Sequence, residues 1–144
     1  MSILAATAVL SLGVLSLGAM PANATDLEVT VKGEVKSGDV IHYGIFNRSA
    51  GFTDPRKTLA EEAIKVKGNS AVAVFKGLEP GEYAVATYND KNGNGKLDKS
   101  WIGRPKEPYG FSNNAKGSFG PPSFAKAMIK VGEENKSISI KITK

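Results

Sequence analysis

The stretch Asp90-Lys91-Asn92-Gly93-Asn94-Gly95-Lys96-Leu97-Asp98 places oxygen-bearing side chains at loop positions 1, 3, 5 and 9, with glycine at 6 and an apolar residue at 8. Calcium is a hard cation that takes six to eight oxygens, and a tight loop turns alternate side chains inward. In that geometry Asp90, Asn92, Asn94 and Asp98 offer side-chain oxygens and Lys96 its carbonyl. Gly95 allows the sharp bend, and Leu97 pins the loop to a core. Position 12, where a bidentate Glu completes such a shell, is Trp101. The flanks read as strand and loop rather than as two helices. Only Asp90 and Asp98 bring negative charge, against Lys91, Lys96 and Lys99, so the expected dissociation constant for Ca²⁺ is on the order of 10⁻⁴–10⁻³ M or weaker. The same residues also read as a long hairpin turn, because Asn92-Gly93 and Asn94-Gly95 are strong turn dipeptides. Both readings stand at this level.

Aromatic and basic residues interleave after the loop. Trp101, Arg104, Lys106, Glu107, Tyr109 and Phe111 form a candidate ligand surface able to stack on a sugar or a base and to hold a phosphate. Against that stands the ordinary tendency of large rings in a loop to fold back and cap a core. Glu107 is placed to return to the acidic loop and supply its missing carboxylate.

Enzyme chemistry is poorly served. His42 is the sole histidine and there is no cysteine, which excludes a thiol nucleophile, a His-rich or thiolate zinc site, and a disulfide scaffold. His42 sits in the apolar run Val40 to Phe46, beside Tyr43, and reads as a packed strand residue. There is no G-x-S-x-G and no phosphate-cradling loop before a helix. The expectation is a non-catalytic binding or structural module. Two alternatives are a metal-assisted hydrolase of an envelope polymer, using Asp90, Asp98 and Glu107, and a polysaccharide-binding or adhesion domain.

The elements that must position these residues are strands. Leu27, Val29 and Val31 alternate with Glu28, Thr30 and Lys32, and Ile138, Ile140 and Ile142 alternate with polar residues, the period of half-buried strands. Val40 to Phe46 reads as a central strand, and Ala71 to Phe75 and Tyr83 to Tyr88 as two more. Phe124 to Val131 is expected to be a strand. Lys57 to Val66 is ambiguous, with a helical turn at Leu59 to Ala63 before a strand. Glu79-Pro80-Gly81-Glu82 reads as a type II turn with positive φ at Gly81. The expected core is Leu27, Val29, Val31, Ile45, Phe75, Leu78, Tyr83, Val85, Ile138 and Ile140. These patterns predict an all-β protein with a single antiparallel sandwich and one long Gly/Pro-rich excursion.

Domain organisation follows from the first charge, at Asp26. Ile3 to Met20 is apolar or small and precedes Pro21-Ala22-Asn23-Ala24, a small-x-small ending of the kind signal peptidase cuts. Residues 1–24 therefore read as a signal peptide and residues 25–144 as one β-sandwich domain. An uncleaved anchor is the competing reading of the leader, opposed by the absence of flanking Lys or Arg. No basic residue precedes the apolar run, which points to a translation start upstream of Met1. With no membrane span left after cleavage, the expected location is periplasmic or secreted. The net charge is +5, and it is concentrated in residues 90–144, which hold 11 basic and 5 acidic side chains. That excess favours an anionic envelope polymer or glycan as partner. An exported chain without a clustered basic stripe is not expected to bind nucleic acid.

Three motifs together resemble one family. They are Phe75-Lys76-Gly77-Leu78-Glu79-Pro80-Gly81-Glu82-Tyr83-Ala84-Val85, the Asp90 to Asp98 loop, and Gly103-Arg104-Pro105-Lys106-Glu107-Pro108-Tyr109-Gly110-Phe111-Ser112-Asn113-Asn114. The chain is similar to the bacterial domain-of-unknown-function family 2141, small exported proteins with no established activity. The resemblance implies a prealbumin-like (transthyretin-like) sandwich and an envelope or extracellular setting, and it implies no reaction.

Overall fold

Leu27, Val29 and Val31, spaced two apart, are all fully buried, and the strand they define, β1 (Thr25–Gly33), is the centre of one sheet. The computed structural model describes residues 24–144. The leader expected over residues 1–24 lies, except for its last residue, outside the described residues. Among the described residues no helix is long and apolar enough to cross a membrane.

The remaining strands are β2 (Val40–Phe46), β3 (Ala60–Lys65), β4 (Ala71–Leu78), β5 (Gly81–Asp90), β6 (Tyr109–Phe111), β7 (Ile129–Val131) and β8 (Lys136–Ile142). They form a three-stranded sheet, β4-β1-β8, and a second sheet, β3-β2-β5-β6, to which β7 adds by pairing with the start of β5. The inner faces of both sheets share one apolar cluster, which includes Leu27, Val29, Ile41, Ile45, Phe75, Val85 and Ile140. Of the ten expected core residues nine are buried, and Ile138 is partly buried at the margin of that cluster. The all-β sandwich is what the alternation implies: each strand has one apolar face to bury, and two sheets bury both.

Four local expectations need correction. The sandwich is not wholly antiparallel, because β1 and β8 run parallel, from Leu27↔Lys136 to Gly33↔Ile142. The chain crosses from β7 to the other sheet and enters it at the end where β1 begins, which imposes the same direction. Phe124 to Val131 is not one strand. Ser123 caps a helical turn, α1 (Phe124–Ala127), by accepting from the Lys126 N–H at 3.3 Å, and β7 follows. The helical turn expected at Leu59 to Ala63 lies earlier, as a single 3₁₀ turn at Pro55–Lys57 capped by Asp54. Gly81 has no positive φ; that conformation belongs to Gly77, at 68°, whose N–H donates to Asp26 Oδ1 at 3.2 Å beside the irregular pairing of Thr25 and Leu27.

The two sheets meet at one corner. Tyr109 and Thr143 exchange backbone hydrogen bonds of 3.1 and 3.2 Å, so β6 lies against the end of β8. Gly110 makes that approach feasible. A Cβ there would stand 2.9 Å from Ile140 Cγ2 and 3.0 Å from the Lys141 carbonyl oxygen.

Candidate functional site

On β5, Val85, Thr87 and Asn89 are buried toward the core, which turns Ala86, Tyr88 and Asp90 to the other side. Register then assembles a row of rings on that outer face: Tyr88 pairs with His42 on β2 and with Tyr109 on β6. The His42 and Tyr88 rings stack with centroids 4.9 Å apart and planes 7° from parallel. The next row is Gly44, Ala86 and Phe111, small at two of its three positions. The result is a groove of about 1020 Å³, floored by these two rows and bordered by the loops around residues 95–105 and 117–121. At the far end Phe52 closes the floor through edge contacts with Phe46, Phe111 and Phe124, at centroid distances of 5.2, 6.0 and 5.7 Å.

His42 is therefore not enclosed in the core as its apolar strand suggests. Its side chain is 27% exposed and its Nε2 lies 3.2 Å from Asp90 Oδ2. Sequence reasoning missed this pair and missed Tyr88. The usable signal was parity, since Val40, His42, Gly44 and Phe46 share one face of β2. Tyr88 also has an unusual hydroxyl. Burial, followed by the charges of Asp90, Glu107, Glu61 and Asp98, pushes its pKa up to about 12. Lys96, Lys99, Arg104 and Lys144 border the groove, with Glu61 as the one acidic residue in its lining.

The acidic loop hangs from the end of β5. Asp90 is buried and accepts from the Gly93 N–H at 2.9 Å and the Gly95 N–H at 2.8 Å. Both glycines have positive φ, 72° and 73°, the conformation that lets their N–H groups turn back on the carboxylate. Asp98 accepts from Asn92 Nδ2 at 2.6 Å and from Asn94 Nδ2 at 2.8 Å, so these three side chains converge. Glu107 does return to the loop. Buried at 4% exposure, it accepts from the Lys91 N–H at 2.9 Å and the Asp98 N–H at 3.1 Å, tying the two ends together. It thus binds the loop's backbone rather than facing solvent. Below the loop, Lys91 Nζ donates to Asp39 Oδ2 at 2.7 Å, and Asn89 Nδ2 donates to the same oxygen at 2.7 Å. Among the described residues no three His, Cys, Asp or Glu side chains gather as metal ligands.

The candidate ligand surface divides in two. Tyr109 and Phe111 are strand residues packed in the outer aromatic cluster. Trp101, Arg104 and Lys106 are exposed on a small hairpin held by Ser100 N–H to Arg104 C=O at 2.7 Å and Lys106 N–H to Asp98 C=O at 2.7 Å. Lys96 donates its N–H to Asn94 Oδ1 at 3.0 Å and is among the residues that border the groove.

No curated protein matches the chain in sequence. Among solved structures it is similar to a pilus-presented adhesin, Spy0125 (Cpa), in one crystal form at 11% identity and TM-score 0.27, covering 83% of this chain and 26% of the adhesin. A cysteine-to-alanine variant of that adhesin gives 11% identity and TM-score 0.26, covering 84% of this chain and 27% of the other. The chain spans about a quarter of the adhesin's length, and at such scores the likeness carries no argument about topology or ligand. The family comparison is different in kind. Residues 29–139, which run from the middle of β1 into β8 and include the acidic loop and the groove floor, match the family described as an uncharacterized protein conserved in bacteria, DUF2141. The chain belongs to that family.

Proposed function

We propose that this protein is a non-catalytic, exported module of the bacterial cell envelope that seats an acidic saccharide in the groove on its outer sheet face. The observation that carries this reading is the row His42, Tyr88 and Tyr109 beneath a cationic border. A sugar ring packs its C–H face on an aromatic plane and presents hydroxyls at its edge. Here His42, Tyr88 and Tyr109 line the groove, and Lys96, Lys99 and Arg104 at its border would meet a carboxylate or sulfate. Shape, apolar floor and few convergent polar groups are the ordinary attributes of a ligand site. The hydrolase alternative has no such support, because Glu107 is taken up by the Lys91 and Asp98 N–H groups and no three acidic side chains gather among the described residues.

Affinity electrophoresis through polygalacturonate, with neutral dextran as control, tests the proposal. The protein is expected to be retarded by the acidic polymer only, less so as salt rises, and Tyr88→Ala is expected to abolish the effect. Equal retardation by neutral dextran, or none by either, refutes it.

A second part of the reading concerns the loop. Asn92, Asn94 and Asp98 already converge, and rotation of the two amides would turn their oxygens inward, a donor set suited to a hard cation. We propose weak Ca²⁺ binding through Asp90, Asn92, Asn94, the Lys96 carbonyl and Asp98, with the shell completed by water. Trp101 follows Asp98 by three residues, so terbium in this loop is expected to show Trp-sensitised emission that millimolar-scale calcium competes away. Asp98→Ala removes the convergence and should abolish the emission. Terbium that stays dark, with a melting temperature indifferent to calcium, leaves the loop as a hairpin turn only.

A further inference from the structure

Trp101 and Ile102 are the two central residues of the turn closed by the Gly103 N–H to the Ser100 carbonyl at 2.9 Å. Turn centres ordinarily hold glycine or small polar residues. Trp101 is instead 97% exposed and Ile102 56% exposed. Phe119, on the second loop bordering the groove, is 106% exposed. None of the three belongs to either apolar cluster of the fold, so packing does not account for them. A ligand in the groove does not account for Trp101 either, because that residue is not among those lining it.

Charge says what such tips would meet. The same two loops present Lys96, Lys99, Arg104, Lys106 and Lys116, all exposed, and none of the five is in an ion pair among the described residues. Their acidic residues are Asp98, engaged by two asparagines, and Glu107, buried against the backbone. Tryptophan at headgroup depth, flanked by lysine and arginine stems that reach anionic phosphates, is the chemistry of interfacial anchoring.

We propose that the Trp101–Ile102 turn and Phe119 insert into an anionic lipid surface, with the five surrounding cations against its headgroups. The docking shares Lys96, Lys99, Ile102, Arg104 and Phe119 with the groove, and Trp101, Lys106 and Lys116, which do not line it, distinguish it from the saccharide reading. Trp101 is the single tryptophan of the chain, so its own fluorescence reports the event. The test titrates the full folded protein with extruded vesicles of phosphatidylglycerol and phosphatidylcholine, with pure phosphatidylcholine vesicles and soluble dextran sulfate as the other arms. Expected with the anionic vesicles are a blue shift of the emission and quenching by brominated acyl chains. Phe119→Ala should raise the half-saturating lipid concentration about tenfold, the transfer free energy of one phenylalanine side chain converted to affinity. The pair Lys99→Glu and Lys106→Glu should raise it by at least as much. Tyr88→Ala, which removes the groove's central ring, should leave the vesicle response in place. Absence of a shift with anionic vesicles overturns the proposal. So does an equal shift with neutral vesicles, or a shift produced by dextran sulfate alone, which would assign the tips to a soluble polymer.

Discussion

Glu107→Ala would cut the tie between the two ends of the acidic loop, and its cost follows from the contacts. The carboxylate receives two backbone N–H groups, from Lys91 at 2.9 Å and Asp98 at 3.1 Å, at a site only 4% exposed. A hydrogen bond to a charged partner contributes about 1.5–3 kcal/mol net. Two such bonds, less the desolvation of a nearly buried charge, give an expected loss of about 2–4 kcal/mol. Glu107→Gln keeps the volume and one acceptor oxygen, so roughly half that loss is expected. Because the loop is an excursion from the end of β5, part of the effect should be local. Hydrogen exchange read at single amides separates the parts: Lys91 and Asp98 should lose protection more than tenfold, since 1.4 kcal/mol corresponds to one decade. The core amides of β1 should fall only by the change in global stability from urea unfolding. If Glu107→Ala leaves both amides and the urea midpoint as in the parent, the tie is not an energetic feature of the fold.

Acid should weaken the corner beneath that loop. Partial burial of Asp39 opposes its ionisation, but hydrogen bonds from Lys91, Asn89 and the Lys36 N–H, together with the Lys91 charge, outweigh burial and hold its carboxyl below the usual aspartate value. The stability it contributes is then complete above the unfolded-state pKa of about 3.9 and is lost as pH falls through the lower folded value. Urea midpoints for Asp39→Asn should therefore fall less steeply below about pH 4 than those of the parent, and parallel curves would refute the assignment. Gly110→Ala places a methyl against Ile140 and the Lys141 carbonyl; overpacking of this kind costs about 1–3 kcal/mol. Calorimetry should show a lowered melting temperature, and an unchanged one would mean that β6 and β8 are free to separate.

Alternation is a local property, and the parts of this protein that depend on it are legible in the chain alone. Leu27, Val29 and Val31 must face a core, Ile140 and Ile142 likewise, and a chain with many such stretches folds as a sandwich. The Asn92-Gly93 and Asn94-Gly95 dipeptides likewise announce a turn, and both glycines take positive φ. Pairing is not local. The same Val40 to Phe46 segment would alternate identically in another register, yet only the observed one stacks His42 on Tyr88 and sets Gly44 opposite Ala86 to leave a groove. The parallel partnership of β1 and β8 depends on where the chain re-enters the sheet, and that is set by all the intervening residues. The aromatics make the contrast sharpest, since ring types and spacing in the excursion do not say which ones pack. Tyr109 and Phe111 lie inward of the groove because β6 pairs with β5. Trp101 stands in water because Ser100 and Gly103 close a turn around it. Side-chain composition decided that there would be a core, and only the long-range hydrogen bonds of the folded chain decided which apolar residues would be left outside it.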